Sequence, residues 1–309
     1  MELSIIRIED IAHVGFTAPD LDAMADFLSD FGLQPAGGDA EERYFRGTGS
    51  APFVHRTRRG AAGFAALGLR AESVADLETL AAAEGVAVED FDAPGGGKVV
   101  RLTDPDGYAV EVVAGQAQAT PLLLADAAPV NTARAKARLR ATKTSTAQPA
   151  TVVRLGHCVL GVSDFRASEA WYKARFGFIT SDEIAAAPNF SIGAFMRCDR
   201  GETPTDHHTL FLLQGPGGAS FNHAAFEVVD LDDLMHGHDH LKARGREADW
   251  GVGRHILGSQ IFDYWRDPWG HTLEHWTDGD LFTAADGSNI SDLPTLMGVQ
   301  WGMKMPARG

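Results

Sequence analysis

The chain has 309 residues, 44% of them hydrophobic, and a net charge of −15. That composition suits a soluble globular protein with room for two domains, and the negative excess argues against nucleic acid as a partner. No run of about 18 apolar residues marks a membrane span, the charged start MELSIIRIED reads against a signal peptide, and the two cysteines, Cys158 and Cys198, are too few for a disulfide framework and fit a reducing cytoplasm.

In chain order, the first pattern is IAHVGFTAPDLDAMADFLSDFGL, from Ile11. It reads as a strand carrying His13, a turn in which Asp20 can cap a helix, and a helix with Leu21, Met24, Phe27 and Leu28 on one face. Gly32 stands where that helix would end. FAALGLRAESVADL follows from Phe64, then DPDGYAVEVV from Asp104, in which Asp-Pro-x-Gly reads as a hairpin turn into a strand carrying Glu111. Residues 116–150, rich in Ala, Thr, Pro and Arg, read as a connection. The basic cluster Arg134, Lys136, Arg138, Arg140 and Lys143 within it reads as a solvated helix or linker.

Beyond the connection the pattern returns. LGHCVLGVSDFRASEAWYKARFGF, from Leu155, sets His157 against His13 and Asp164 against Asp20, with Phe165, Trp171, Tyr172 and Phe176 on the helix face and Gly177 at its end. FNHAAFEVVDLDDL aligns without a gap to the segment from Phe64. HGHDH, with His236, His238 and His240, falls on a helix ending before Gly245 and reads as a solvated face. DPWGHTLEHW repeats the Asp-Pro turn, and LPTLMGVQWGMKMP near the end is too apolar to be free. The expected fold is α+β, built from tandem βαβββ units. The expected limits are an N-terminal domain over 1–115, the connection over 116–150, a C-terminal domain over 151–280, and a tail over 281–309 packed on the body.

Glu274 sits in the aromatic stretch FDYWRDPWGHTLEHW, and a buried carboxylate needs a counter-charge, a hydrogen-bond network or a metal. His157 and His223, each on a predicted strand, complete a set of two histidines and one carboxylate. That set holds non-haem Fe(II) with positions left open; Mn and Zn suit the same donors, and the absence of thiolate argues against a structural zinc. Taken singly, a strand histidine is more often structural. Cys158, next to His157 on a strand, points to the opposite face. The first copy keeps His13 and Glu111 but has Ala66 opposite His223, so one working site per chain is expected, in the second copy.

These residues resemble the vicinal oxygen chelate superfamily, and within it the two-domain type I extradiol ring-cleavage dioxygenases (2,3-dihydroxybiphenyl and catechol 2,3-dioxygenase-like). The resemblance runs from His13 to the tail and implies two glyoxalase/bleomycin-resistance-like domains. His157, His223 and Glu274 follow the order and spacing of the family's metal ligands. His208 lies 15 residues before His223, where the family has its acid–base histidine, with adjacent His207 as the other candidate. His255, in a Gly-Arg-His context, is followed nine residues later by Tyr264, itself ten before Glu274. The resemblance implies Fe(II), with Mn(II) as the other suitable metal, and insertion of both atoms of O2 into a catechol-type aromatic diol. It implies that His255 and Tyr264 orient the diol, and that the chain forms a homo-oligomer. Val159, on the face of His157, is expected to touch the ring, with Trp250, Phe195 or Phe226 as an apolar wall. Arg154, Arg200 and Arg254 read as surface ion pairs. Two other readings use the same fold. A glyoxalase-like isomerase or thiol transferase has no use for His208, His255 and Tyr264, and a metal-free drug-binding resistance protein has no use for the three ligands.

Overall fold

In each half, an 11-residue strand, Ile8–Ala18 and Val152–Val162, lies almost wholly buried in mid-sheet. Each feeds a helix through a capped turn. The Asp20 carboxylate accepts from the amides of Asp22 and Ala23 at the start of Leu21–Phe31, and that of Asp164 accepts from the Ala167 amide at the start of Phe165–Phe176. Gly32 ends the first helix at a φ of 107°, a backbone state open chiefly to glycine. These observations come from a computed structural model that describes residues 4–124, 129–140 and 147–304. The opening three residues, parts of the predicted connection with Lys143, and the last five residues of the tail lie outside the described residues.

The fold is α+β, and each half contains two βαβββ units joined edge to edge in one sheet. In the first half, Ile8–Ala18 runs antiparallel to Gly63–Ala71, the opening strand of the next unit, and parallel to His55–Arg59, the closing strand of its own. In the second half, Val152–Val162 is flanked in the same way by Ser220–Val228 and Leu210–Gln214. Ser220–Val228 in turn runs parallel to Thr272–Thr277. Three neighbouring strands at the centre of this sheet therefore carry His157, His223 and Glu274.

Beyond residue 280 the chain runs back over the second half. Asn289–Asp292 adds to the edge strand Ile179–Ala187, and Val299–Gly302 adds to the opposite edge strand Glu247–His255. Both exposed edges of the unit pair are thereby paired. Between these two strands, the one-turn helix Leu293–Leu296 lies against Ile179–Ala187.

One apolar cluster runs through both halves, from Ile6 to Leu273. His275 stacks on Phe31 at 3.8 Å between ring centroids and donates from Nε2 to the Phe31 carbonyl. Asp30 gathers His240, Arg244 and Arg246 from the helix Leu231–Ala243 and the residues after it. The reading of HGHDH as a solvated face is thus corrected. His238 meets Asp263 at 3.1 Å and His240 meets Asp30 at 3.3 Å. The described part of the basic segment 129–140 forms no helix and is largely exposed. Among the described residues no helix is long and apolar enough to cross a membrane.

Candidate active site

Strand alternation and register bring the three candidate ligands together. Ala225, on the middle strand, stands opposite His157 on one side and Glu274 on the other, and His223 lies two residues before it. Their side chains emerge on one face of the sheet. Nε2 of His157 and Nε2 of His223 lie 3.3 and 3.1 Å from Oε2 of Glu274, and one ligand atom from each residue fits within 4.8 Å of the others. Among the described residues this is the group of three His, Cys, Asp or Glu so arranged.

The site fits a divalent cation on its own evidence. Glu274 is fully buried, and neither of its carboxylate oxygens has a hydrogen-bond partner; Nε2 of His223 has none either. A carboxylate left this way is costly unless something positive stands beside it. Burial opposes its ionisation, yet the two imidazoles hold it below the usual carboxylate range. Burial also lowers the pKa of His157, favouring the neutral imidazole that ligates metal. Nδ1 of His223 meets the Asn222 carboxamide oxygen at 2.9 Å, so the ring is held from that side and Nε2 is the atom turned toward Glu274.

A cavity of about 280 Å³ opens over His157 and His223. His208, His255, Tyr264, Val159, Trp250 and Phe195 all line it. His255 Nε2 and Tyr264 Oη lie 2.9 Å apart, and Trp250 stacks on Tyr264 with ring planes 14° apart. The His208 ring rests 4.0 Å from that of His157. Burial drives the His255 pKa down to about 4 and that of His208 well below the ordinary value, so both rings are neutral at pH 7. His207 faces away from the cavity, where Nε2 meets Asp182 at 2.6 Å.

Several sequence expectations change here. Phe226 is wholly buried on the other side of its strand, against Phe31, and takes no part in the cavity wall. Phe211 and Leu213 supply more of that wall, from the apolar run 210–213 of the strand Leu210–Gln214, which carries no titratable residue to draw attention to it. Leu296 and Met297 reach the cavity from the tail. Cys158 packs in the core. Arg154 is ion-paired as expected but only partly exposed: it is held bidentately by Asp206, pairs with Glu227, and lies over Trp276.

The first half shows the equivalent position closed. His13 Nε2 lies 2.8 Å from Glu111, but Ala66 stands at the place of His223. The Arg56 guanidinium reaches the same Glu111 oxygen at 3.1 Å, and Arg101 takes the other at 3.3 Å. Burial would raise the Glu111 pKa, but His13, Arg56 and Arg101 together lower it to about 2. Here the carboxylate has its counter-charge from the chain itself.

Residues 154–275 match the model of the Glyoxalase/Bleomycin resistance protein/Dioxygenase superfamily. Metapyrocatechase 2 of Cupriavidus necator is 28% identical to this chain over 97% of it and 90% of the relative. The Mn(II)-bound glyoxalase from Novosphingobium aromaticivorans superposes with a TM-score of 0.79 at 27% identity, covering 97% of this chain and 93% of that one. Residues 154–275 thus carry a domain similar to that superfamily. Within the superfamily, biphenyl-2,3-diol 1,2-dioxygenase of Sphingomonas paucimobilis is 31% identical over 39% of each chain. The 2,3-dioxygenase LapB of Pseudomonas sp. KL28 shares the fold, with a TM-score of 0.77 at 18% identity over 94% of this chain and 99% of that one.

Proposed function

We propose that this chain is a member of that superfamily and an extradiol dioxygenase, which opens the ring of a catechol-type diol with O2. One observation carries the reading. His157 and His223, converging on a Glu274 carboxylate that has no hydrogen-bond partner, line a cavity with a hydrogen-bonded His255–Tyr264 pair and with His208. A glyoxalase-like isomerase would need the three ligands but not that polar set.

The metal is Fe(II), held by His157, His223 and Glu274 in the domain over 151–280, with the tail over 281–309 completing the cavity. When bound, Fe(II) would acidify a diol hydroxyl and relay to O2 the electrons that the diol itself gives up. The chain's own groups do the rest. His255 and Tyr264 hydrogen-bond the diol oxygens and hold the ring in one pose. His208 takes a proton at Nε2 and returns it later as the acid. Val159, Phe195 and Trp250 pack the ring and keep water out.

The same proposal includes a homo-oligomer in the cytoplasm. Exposed Ile290, Trp301 and Met303 along the tail suit contact with a second copy, and two buried free thiols suit a reducing compartment. The test is anaerobic addition of a catechol to Fe(II)-loaded protein, followed by air. A yellow, ring-opened product is expected. An unchanged diol across a panel of substituted catechols would overturn the reading.

A further inference from the structure

His207 stands outside the cavity, yet it joins the site through its neighbour. Its Nε2 lies 2.6 Å from Oδ2 of Asp182, and its Nδ1 lies 3.1 Å from Nδ1 of His208. All three residues are buried, with exposures of 5% for Asp182, 1% for His207 and 3% for His208. One assignment of the hydrogens fits these contacts and leaves His208 with a free acceptor. An ionised carboxylate only accepts, so His207 Nε2 carries the hydrogen. With that one ring hydrogen given to Asp182, His207 presents Nδ1 to His208 as an acceptor. Two bare nitrogens at 3.1 Å would repel, so the hydrogen between them belongs to His208. His208 is thereby left with Nδ1–H toward His207 and a bare Nε2 for the cavity that it lines.

The surroundings hold the pair in place. The His207 amide donates to the Asp280 carbonyl, and its own carbonyl accepts from the Ser181 hydroxyl at 2.6 Å. Arg197 donates to the same hydroxyl. The His207 ring packs between Phe195 and Phe282. Asp182 stands on Ile179–Ala187, an edge strand that the tail strand Asn289–Asp292 covers.

We infer that Asp182 and His207 are positioning residues that set the tautomer and orientation of His208. This rests on the acid–base role proposed for His208. In that role a proton passes from a diol hydroxyl to His208 Nε2, which must be bare beforehand. The ring that has taken the proton keeps its Nδ1–H on His207, with the Asp182 carboxylate behind it. A buried carboxylate that holds a histidine in its working tautomer through hydrogen bonds is a general device of acid–base sites. Here the link runs through a second imidazole.

Three variants test this: His207→Phe, which keeps a ring but removes the acceptor; His207→Gln, whose carboxamide oxygen can still accept from His208; and Asp182→Asn. The first readout needs no catalysis. Ring 15N spectra of histidine-labelled, metal-free protein should show His208 protonated at Nδ1 in the parent and in His207→Gln. In His207→Phe that preference should be lost. The second readout is turnover of the Fe(II)-loaded enzyme. His207→Phe should lower kcat on the order of 100-fold, with KM and iron content near the parent's, and His207→Gln should recover part of it. Asp182→Asn should fall between the parent and His207→Phe. An unchanged His208 tautomer and an unchanged kcat in His207→Phe would overturn the inference, as would a parent His208 protonated at Nε2. If His207→Phe does not fold, the parent spectrum and Asp182→Asn decide in the same terms. If the parent opens no catechol, the dioxygenase reading fails, while the spectra still test the link between His207 and His208.

Discussion

At the scale of single residues, His223 and His208 lie 15 positions apart and have different roles in the proposed site. His223→Gln removes one of three converging donors. Without it, iron should fall from about one per chain to a small fraction of that, and activity should go with it. His208→Gln leaves the three donors in place. That protein should keep its iron and still bind catechol anaerobically, but turn over about 100-fold more slowly, because a carboxamide cannot shuttle a proton. Metal analysis beside a rate measurement separates the two; an iron-free His208→Gln with an iron-loaded His223→Gln would reverse the assignment. Tyr264→Phe removes the hydroxyl that faces His255 at 2.9 Å. Losing a buried hydrogen bond of about 1–3 kcal/mol in the reacting complex should lower kcat/KM roughly tenfold with little change in Tm. Wild-type kcat/KM on the preferred diol would reduce Tyr264 to a packed strand residue.

At the scale of elements, the site depends on how closely the central strands approach. A Cβ on Gly156 would lie 2.5 Å from Cζ2 of Trp276, and Trp276 is itself buried beside His157 and under Arg154. Gly156→Ala should therefore displace the indole, at a cost of about 1–3 kcal/mol, and lower the Tm by several degrees. Thermal unfolding measures this directly, and an unaltered Tm would show that the indole moves freely. The Asp-Pro-x-Gly turns are a second instance. Gly107 and Gly270 take φ values of 90° and 89°, and in each turn the Asp carboxylate, Asp104 or Asp267, caps two backbone amides. These turns aim the two strands that carry Glu111 and Glu274.

At the scale of the molecule, two equivalent positions differ in what answers their carboxylate. In the first half Arg56 and Arg101 do so; in the second, among the described residues, Glu274 is met by histidines alone, His157 and His223 at 3.3 and 3.1 Å and His255 at 3.9 Å. Metal analysis of anaerobically purified protein should give about one ion per chain, and a value near two would contradict the closed first site. The halves also share one apolar core, with Phe31 of the first packed on Phe226 and His275 of the second. Phe31→Ala should cost about 3–5 kcal/mol and should lower one common unfolding transition. Two separate transitions would show that the halves unfold independently.

The sequence by itself determined what depends on local order and spacing. The doubled strand–helix pattern, the Asp20 and Asp164 caps, the Asp-Pro turns, and the spacing of His157, His223 and Glu274 are all periodic or local features, and alternation along a strand says which residues share a face. That reasoning also separated Cys158 from His157. Only the tertiary structure decided which of two adjacent histidines faces the cavity, since His207 and His208 differ by the partner each meets, Asp182 or His157, and neither is near in sequence. It decided that Phe226 packs in the core while Phe211 lines the site, because apolar residues of similar size give no sign of which neighbour they will meet. It decided too that Arg56 closes the first site and that Leu296 and Met297 reach the second. Contacts between residues far apart in the chain are set by strand order and by the path of the tail, and those emerge only when the sheets assemble and the core closes.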